Sequence, residues 1–258
     1  MALKALLWDV DGTLAESERD GHRVAFNRAF EDAGLDWRWD SVHYGTLLRI
    51  TGGRERLLHD MAARADAPAL ADERLRLAAE LHQRKNAHYA EIVAGGEIGL
   101  REGVAELIDE AASAGLRQGI TTTTSRANLV ALLQRHLGPQ WTRGFPVQVC
   151  GEDVAAKKPD PEVYRRALAA LDLPSVETVA IEDSPGGVAA ARAAQVPVIV
   201  TRSAYFADDT VENVIAIGPG LHARAHWRPA AQPATPGRVS LDDVRAWHER
   251  MEFVSHHG

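Results

Sequence analysis

The apolar segment near the start of the chain constrains the fold more than any other part. Residues Leu3 to Val10 carry only two charged side chains, Lys4 and Asp9, which is typical of a parallel strand buried on both faces. Asp11 follows Asp9 by two positions. Because alternate side chains of an extended segment leave on the same side, we expect both carboxylates outside the carboxyl end of this strand. In open α/β sheets, ligands bind there.

Two carboxylates close together indicate a specific chemistry. A hard divalent cation can relieve their repulsion, and one can act as a nucleophile while the other, partly protonated, carries a proton. Gly12 and Thr13 then allow a tight turn with free backbone amides. The same pattern is also found where Asp-x-Asp-Gly merely caps a loop, so the later segments have to decide between the two interpretations.

Length and composition exclude several classes of protein. A chain of 258 residues with 45% hydrophobic residues is typical of a globular protein. No stretch approaches the roughly 20 apolar residues of a membrane helix, and the N-terminus does not resemble a signal peptide. The net charge of −7 argues against general nucleic-acid affinity. We therefore expect a cytoplasmic protein, a monomer by default, that binds a small molecule and neither nucleic acid nor membrane.

The spacing of apolar residues divides the chain into two parts. Residues 17–92 show helical spacing and no strand pattern, which predicts an all-helical insert. The rest alternates between strand and helix patterns, which predicts an α/β fold with a doubly wound, parallel, Rossmann-like sheet. We expect a core of residues 1–16 and 93–258 around the helical insert (residues 17–92).

Individual elements of the core can be predicted as well. Residues 218–238 are rich in Gly, Pro, His and Arg and are expected to form a surface loop. Ser240 is expected to cap a final amphipathic helix that carries Leu241, Val244, Trp247 and Met251. Expected strands are 117–122, 146–150, 178–181 and 196–201, and expected helices are 103–114, 127–137, 161–171 and 187–194.

Hydroxyl and ammonium groups follow two of these strands. The run Thr122–Ser125 offers hydroxyl groups and helix N-terminal amides to an anion, although Ser125 alone is better explained as a helix N-cap. Lys157 and Lys158 precede a rigid Pro-Asp-Pro turn that could hold one ammonium near the other strand ends. A solvated lysine pair is an equal alternative when that segment is viewed alone.

An acidic pair, Glu182 and Asp183, ends a further apolar strand and precedes two glycines. Acid, hydroxyl, lysine and acid thus stand at four successive strand ends, an order that is hard to obtain by chance. The carboxyl ends of parallel strands meet at one edge of the sheet, so these groups are expected to converge.

These motifs resemble those of the haloacid dehalogenase-like hydrolases. The four family motifs match D-V-D-G-T at residues 9–13, Thr122, K-P-D-P at residues 158–161 and E-D-S at residues 182–184. The resemblance covers the core from end to end, and the insert looks like the helical cap of the β-phosphoglucomutase-like branch. It implies phosphoryl transfer through an aspartyl phosphate, with Mg²⁺ as cofactor.

The resemblance also implies a role for each matching residue. Asp9 is the nucleophile and a Mg²⁺ ligand, and Asp11 is the general acid and base that also gives its backbone carbonyl to the metal. Thr122 and Lys158 hold the phosphoryl group, and Lys158 is chosen because the family's lysine directly precedes the proline. The other implied metal ligands are Asp183 and, beside it, Glu182.

Two further segments carry a more specific resemblance. E-S-E-R-D-G-H-R-V-A-F-N-R-A-F from Glu16 and I-T-G-G-R-E-R from Ile50 look like the CbbY-type xylulose-1,5-bisphosphate phosphatases, found beside the Calvin cycle. In the related sugar mutases an arginine holds the non-reacting phosphate, and Arg54 is the nearest match, where the CbbY pattern usually has lysine. For His22, an exposed helix position is an equal alternative to a sugar contact. Expected contacts are Thr124, Ser125 and Arg126 to the second phosphate, Glu16, His22 and Tyr44 to the sugar, and Thr123 to the substrate.

The expected function is a Mg²⁺-dependent sugar-phosphate phosphatase that converts xylulose 1,5-bisphosphate to xylulose 5-phosphate. A β-phosphoglucomutase-type phosphomutase would use the same core but return the phosphoryl group to a sugar, so release of inorganic phosphate distinguishes the two. A third alternative is an inactive sugar-phosphate-binding protein on the same scaffold. The intact acids and lysine argue against it.

Overall fold

The computed structural model describes residues 2–231 and 236–254, and its centre is a parallel β-sheet. The described residues form six strands in the order β3-β2-β1-β4-β5-β6, each parallel to its neighbours. The order runs outward from β1 in both directions, so the predicted doubly wound α/β fold is confirmed. The strands are β1 (Ala5–Trp8), β2 (Arg117–Thr121), β3 (Val147–Val149), β4 (Thr178–Glu182), β5 (Val198–Thr201) and β6 (Ala216–Gly218).

Helices cover both faces of the sheet and form the insert. They are α1 (Arg23–Asp32), α2 (Ser41–Leu47), α3 (Gly53–Ala63), α4 (Ala71–Ala94), α5 (Val104–Ser113), α6 (Arg126–Leu137), α7 (Glu162–Leu171), α8 (Pro185–Ala193) and α9 (Leu241–Val254). Leu6 and Trp8 of β1 pack with α5, α6 and α9, whereas Ala5 and Leu7 pack on the other face with α7 and α8. Strand β1 is therefore buried on both faces, as its apolar sequence predicts.

The helical insert leaves and rejoins the core at neighbouring points. Ala15 forms an antiparallel bridge with Leu100, and the amide of Arg101 donates to the carbonyl of Leu14 at 2.8 Å. A π-helical turn, Glu18–His22, begins the insert, and α1 to α4 follow. The insert has a hydrophobic cluster largely of its own. Helix α4 runs to Ala94, slightly past the expected limit, and the division into two domains at that limit stays a prediction.

The C-terminal part differs from the prediction in one element. Strand β6 was not expected, because an edge strand of three residues is too short to show a periodic pattern. Helix α9 begins directly after Ser240, as predicted. The Ser240 hydroxyl donates a 3.0 Å hydrogen bond to the Asp243 carboxylate, whereas the predicted cap would accept one from a backbone amide.

Residues 232–235 and the side chain of Met251 lie outside the described part of the chain. No helix of the described part is both long and apolar enough to cross a membrane.

Candidate active site

Asp9 lies directly after β1, between a lysine and further acids. Its carboxylate accepts a 2.7 Å hydrogen bond from Lys158 Nζ, which also donates to Glu182 Oε1 at 2.6 Å and to the Thr121 carbonyl at 2.8 Å. All three charged groups are buried. The ends of β1, β2 and β4 therefore meet as the topology predicts, and the alternative of a solvated lysine is wrong for Lys158.

Burial and charge together set the protonation of these groups. Burial raises the pKa of Asp9 to about 7, with Lys158 opposing the rise and Glu182 adding to it. Burial alone would lower the pKa of Lys158, but the negative charges of Asp9 and Glu182 raise it above its usual value. Lys158 is therefore a permanent cation beside the carboxylate that has to be ionised to act as a nucleophile.

Three carboxylates at the strand ends form a cluster suited to a cation. Asp9, Glu182 and Asp183 place one oxygen each within 4.8 Å of the others. Burial, with a contribution from Asp9, raises the pKa of Asp183 well above its usual value. Oε2 of Glu182 is buried and has no hydrogen-bond partner among the described residues. A buried set of oxygens with excess negative charge fits a hard divalent cation such as Mg²⁺.

Asp11 is held by the first turn of the insert. Its Oδ1 lies 2.9 Å from His22 Nε2 and accepts a hydrogen bond from the Ser17 hydroxyl. Burial acts against it, yet these contacts lower the pKa of Asp11 below its usual value. His22 is buried on the π-helical turn and stacks on Tyr89 at 4.1 Å between ring centroids, so the exposed alternative is wrong. Such turns are rare and frequent at functional sites.

The first three threonines after β2 differ in their access to the cavities. Thr122 is buried, and its hydroxyl accepts a 3.1 Å hydrogen bond from the amide of Thr124. Thr123 lines the main cavity described below, and Thr124 lines a smaller one beside it. The structure therefore brings Thr123 and Thr124 to the site, whereas Thr122 lines neither cavity and its predicted contact with the phosphoryl group stays a prediction.

The next two residues of that run act differently. The Ser125 hydroxyl accepts from the amide of Asn128 and caps α6, and the residue also lines the smaller cavity. The exposed guanidinium of Arg126 lies 2.5 Å from Asp153 and lines neither cavity. The structure does not bring Arg126 to the place where we expected a second phosphate.

Glu16 also lies away from the cavities. Its carboxylate is 3.5 Å from Nε of Arg101 and accepts a 3.3 Å hydrogen bond from the amide of Ala204. Arg101 in turn donates to the carbonyls of Gly12, Arg202 and Pro219, so it joins three loops beside the sheet edge. The contacts of Glu16 place it beside these core loops rather than against a sugar.

A cavity of about 270 Å³ separates the strand ends from the insert. Two ion pairs cross from insert to core beside it: Arg49 to Asp209 at 2.6 Å, and Glu55 to Lys157 at 2.7 Å. The core contributes Asp9, Asp11, Thr123, Lys158, Pro159, residues 183–187 and Phe206, and the insert contributes Glu18, Leu48, Arg49, Thr51 and Arg56.

The insert places a different arginine over the site from the one predicted. Arg54 is exposed and lines neither cavity, whereas Arg56 is buried and lines both. Arg56 lies 3.3 Å from Glu18 and donates to the Tyr44 hydroxyl at 3.1 Å. Tyr44 is buried and donates to Glu18, so it supports the edge of the cavity without lining it. Sequence reasoning missed both Arg56 and Glu18.

A buried lysine was also missed. Lys85 on α4 lines the smaller cavity with Asp11 and Glu18 and lies over the rings of Phe26 and Tyr89. Burial lowers the pKa of Lys85 to about 8, although Asp11 and Glu18 act against the decrease. A signal was present, because Lys85 occupies a helical position four residues before Tyr89 and four after the buried Leu81.

Comparison with known proteins supports a common origin. The model of the haloacid dehalogenase-like hydrolase family matches residues 3–195. Protein CbbY of Cupriavidus necator is 42% identical over 95% of this chain and 97% of its own length, and CbbY of Rhodobacter capsulatus is 48% identical over 87% and 96%. A crystal structure of a CbbY mutant from Rhodobacter sphaeroides, in complex with xylulose (1,5)-bisphosphate, is 39% identical. It superimposes with a TM-score of 0.79 over 84% of this chain and 94% of that one.

Proposed function

This chain belongs to the haloacid dehalogenase-like hydrolases and is a phosphatase of the CbbY type, and we propose that it hydrolyses xylulose 1,5-bisphosphate at C1. The products would be xylulose 5-phosphate and inorganic phosphate. The observation that carries the proposal is the position of Asp9, which faces the cavity beside Lys158 while Arg56 lies in the roof. A cytoplasmic location and a monomeric state stay predictions.

The proposed reaction begins at the Asp9 carboxylate. One oxygen attacks the phosphorus, the bond from phosphorus to the C1 oxygen breaks, and an aspartyl phosphate forms. Asp11 gives a proton to the leaving C1 oxygen. Water then attacks the phosphorus, Asp11 takes a proton from that water, and the bond to Asp9 breaks. Asp11 lies on the same turn as Asp9, and its contacts to Ser17 and His22 hold the carboxylate in place and favour its ionised form. That form suits the base of the second step, whereas the first step requires Asp11 to be protonated when the substrate binds.

The site has to bind a phosphate dianion close to several negatively charged carboxylates. A phosphate dianion approaching Asp9 meets two further carboxylates, and the ammonium of Lys158 offsets part of the repulsion. Glu182 keeps that ammonium in place through its 2.6 Å contact. Mg²⁺ held by Asp9 and Asp183, with Glu182 beside them and the Asp11 carbonyl, would supply the remaining positive charge.

Two observations support the proposed substrate: the cations that line the cavities and the ligand bound in the crystal structure of a relative. On the side of the insert, the two cavities contain three cations, Arg49, Arg56 and Lys85. Arg49 is paired with Asp209 and Arg56 with Glu18, so a substrate phosphate would share these cations with carboxylates. A second phosphate group on the substrate needs cations of this kind. A CbbY relative has been crystallised with xylulose bisphosphate, which supports the same substrate here.

Phosphate release from a panel of substrates tests the proposal. The panel contains xylulose 1,5-bisphosphate, ribulose 1,5-bisphosphate and β-glucose 1-phosphate, each with and without Mg²⁺. We expect Mg²⁺-dependent release with the highest kcat/KM for the xylulose compound. We also expect no turnover by Asp9→Asn, because an amide cannot form the acyl phosphate. Equal kcat/KM for the two pentulose bisphosphates, or conversion of β-glucose 1-phosphate to the 6-phosphate, would contradict the proposal.

A further inference from the structure

One segment of this acidic chain contains basic residues and no acidic ones. Between Glu212 and Asp242 the sequence has no Asp or Glu, although the whole chain carries a net charge of −7. Its basic residues are His222, Arg224, His226, Arg228 and Arg238. The proposed phosphatase reaction makes no use of them.

Two of these residues share a pocket with an arginine from another loop. Arg202, His226 and Arg228 line a space of about 250 Å³ together with residues 217–219. Arg202 directly follows β5, and Gly218 ends β6, so the pocket lies at the same edge of the sheet as Asp9. No residue that lines the pocket lines the cavity above Asp9, so the two spaces are distinct.

The backbone around the pocket is fixed by packing. Ile217 and Arg228 exchange two backbone hydrogen bonds of 2.9 Å each. The neighbouring Trp227 is buried and stacks on Trp247 at 4.6 Å between ring centroids. It lies so close to Gly218 that a Cβ at this glycine would be 2.2 Å from the Trp227 ring. The backbone of His226 and Arg228, on either side of Trp227, is therefore fixed at the rim of the pocket, and their side chains are exposed there.

The basic side chains of the pocket have no carboxylate partner within the described chain, and those of His226 and Arg228 are exposed. Arg202 donates to the backbone carbonyls of Ala207 and Asp209, which carry no net charge. Neither His226 nor Arg228 forms an ion pair with a carboxylate in residues 2–231 or 236–254. Arg224, from the same segment, differs from them because it pairs with the buried Asp243 at 2.8 Å.

We propose that this pocket is a second anion site, which binds the phosphate dianion, either as inorganic phosphate or as the phosphate group of a small ester. Arginine guanidinium groups bind phosphate oxygens through paired N–H donors, and a histidine can add a further donor. No acidic side chain lines the pocket, so a bound dianion would meet two guanidinium groups and no carboxylate. The volume is sufficient for one phosphate group with a small substituent.

His226 lines this pocket and not the active site, so the NMR signals of its ring report on binding in the pocket. NMR resonances of the histidine rings are followed at fixed pH while inorganic phosphate is added, with sodium chloride at matched ionic strength as the control. The His226 signals are assigned by their loss in His226→Gln. We expect a saturable shift with phosphate and none with chloride. A second titration with methylphosphonate, which has no cleavable ester bond, shows whether an organic substituent is accepted as well.

A charge reversal at Arg228 tests whether the phosphate that shifts the His226 signals binds in this pocket. Arg228→Glu should weaken the phosphate dependence of the His226 shift by roughly tenfold or more, and Arg228→Gln should weaken it less. Arg192→Glu is the matched control, because Arg192 is exposed in the last turn of α8 and lies far along the chain from this segment. A His226 shift of the same midpoint in Arg228→Glu, or one reproduced by chloride, would overturn the proposal. Folding of each variant is checked by the unchanged resonances of the other histidines.

Discussion

Gly187 lies against Glu182 so closely that a Cβ at this glycine would be 1.9 Å from Oε2 of the acid. Glu182 is completely buried, and its other oxygen holds Lys158, which in turn holds Asp9. Because Gly187 has no side chain, it leaves the space that Glu182 occupies. Glu182 can then hold Lys158 in contact with Asp9.

Gly187→Ala should inactivate the enzyme without unfolding it. The methyl group has to displace Glu182, and a misplacement of about 1 Å in the supporting groups costs on the order of 100-fold in kcat. Gly99→Ala is the control, because a Cβ at Gly99 meets no atom within 4 Å and Gly99 lines neither cavity. Steady-state kinetics of the two variants, with urea denaturation for stability, measure the difference. Equal activity in both would contradict the arrangement.

Arg56→Ala should raise KM for a bisphosphate far more than for a matched monophosphate. A charge-assisted contact to the distal phosphate contributes about 1.5–3 kcal/mol, which corresponds to a rise in KM of roughly 10- to 150-fold. Arg54→Ala serves as the control because Arg54 is exposed and outside the cavities. If Arg56→Ala affects both substrates equally, Arg56 only supports Glu18 and Tyr44.

How well the sequence predicts a site residue depends on the part of the fold that positions this residue. Asp9 and Glu182 lie at strand ends, so the parallel topology alone brings them together. Lys158 lies in the loop between β3 and α7, and the motif that resembles the family's was the signal for its position. Arg54 and Arg56 differ by two residues, about 200° around a helix, and only one can face the cavity. Which one does so depends on the rotation of α3 after Gly52, whose φ of 98° sets the entry, and no motif reports that rotation.

The buried ammonium of Lys85 should make stability depend on pH in the alkaline range. Its pKa is about 8 in the folded protein and near 10.5 in the unfolded chain, so between these values the unfolded chain binds more protons. The free energy of unfolding should therefore rise with pH across this range, by up to about 1.4 kcal/mol per pH unit. Urea titrations from pH 7.5 to 10.5 measure the slope.

Lys85→Met is the control for that slope. Methionine keeps the volume and removes the titrating group, so the contribution between pH 8 and 10.5 should disappear. At pH 7 the variant should be at least as stable as the parent, because replacing a buried charge by an apolar group is often neutral or stabilising. An unchanged slope in Lys85→Met would assign the pH dependence to another group.

The contact of Arg49 with Asp209 should affect substrate binding by holding the insert over the core. A double-mutant cycle with Arg49→Met and Asp209→Asn should give a coupling of about 0.2–1 kcal/mol in kcat/KM, the usual range for a partly exposed pair. The coupling should shrink at high salt. A cycle that is additive at every salt concentration would show that this pair does not act in catalysis.

The bridge between Ala15 and Leu100 means that the insert begins and ends at almost the same place in space. A segment whose ends already meet can be replaced by one of another length at little cost in chain entropy, and the strands beneath it keep their register. In evolution, substrate preference and reaction chemistry can therefore change independently in a chain of this design. Under the proposed function, mutations between the two crossings would change which molecule is cleaved, while the sheet edge beneath would keep the reaction the same.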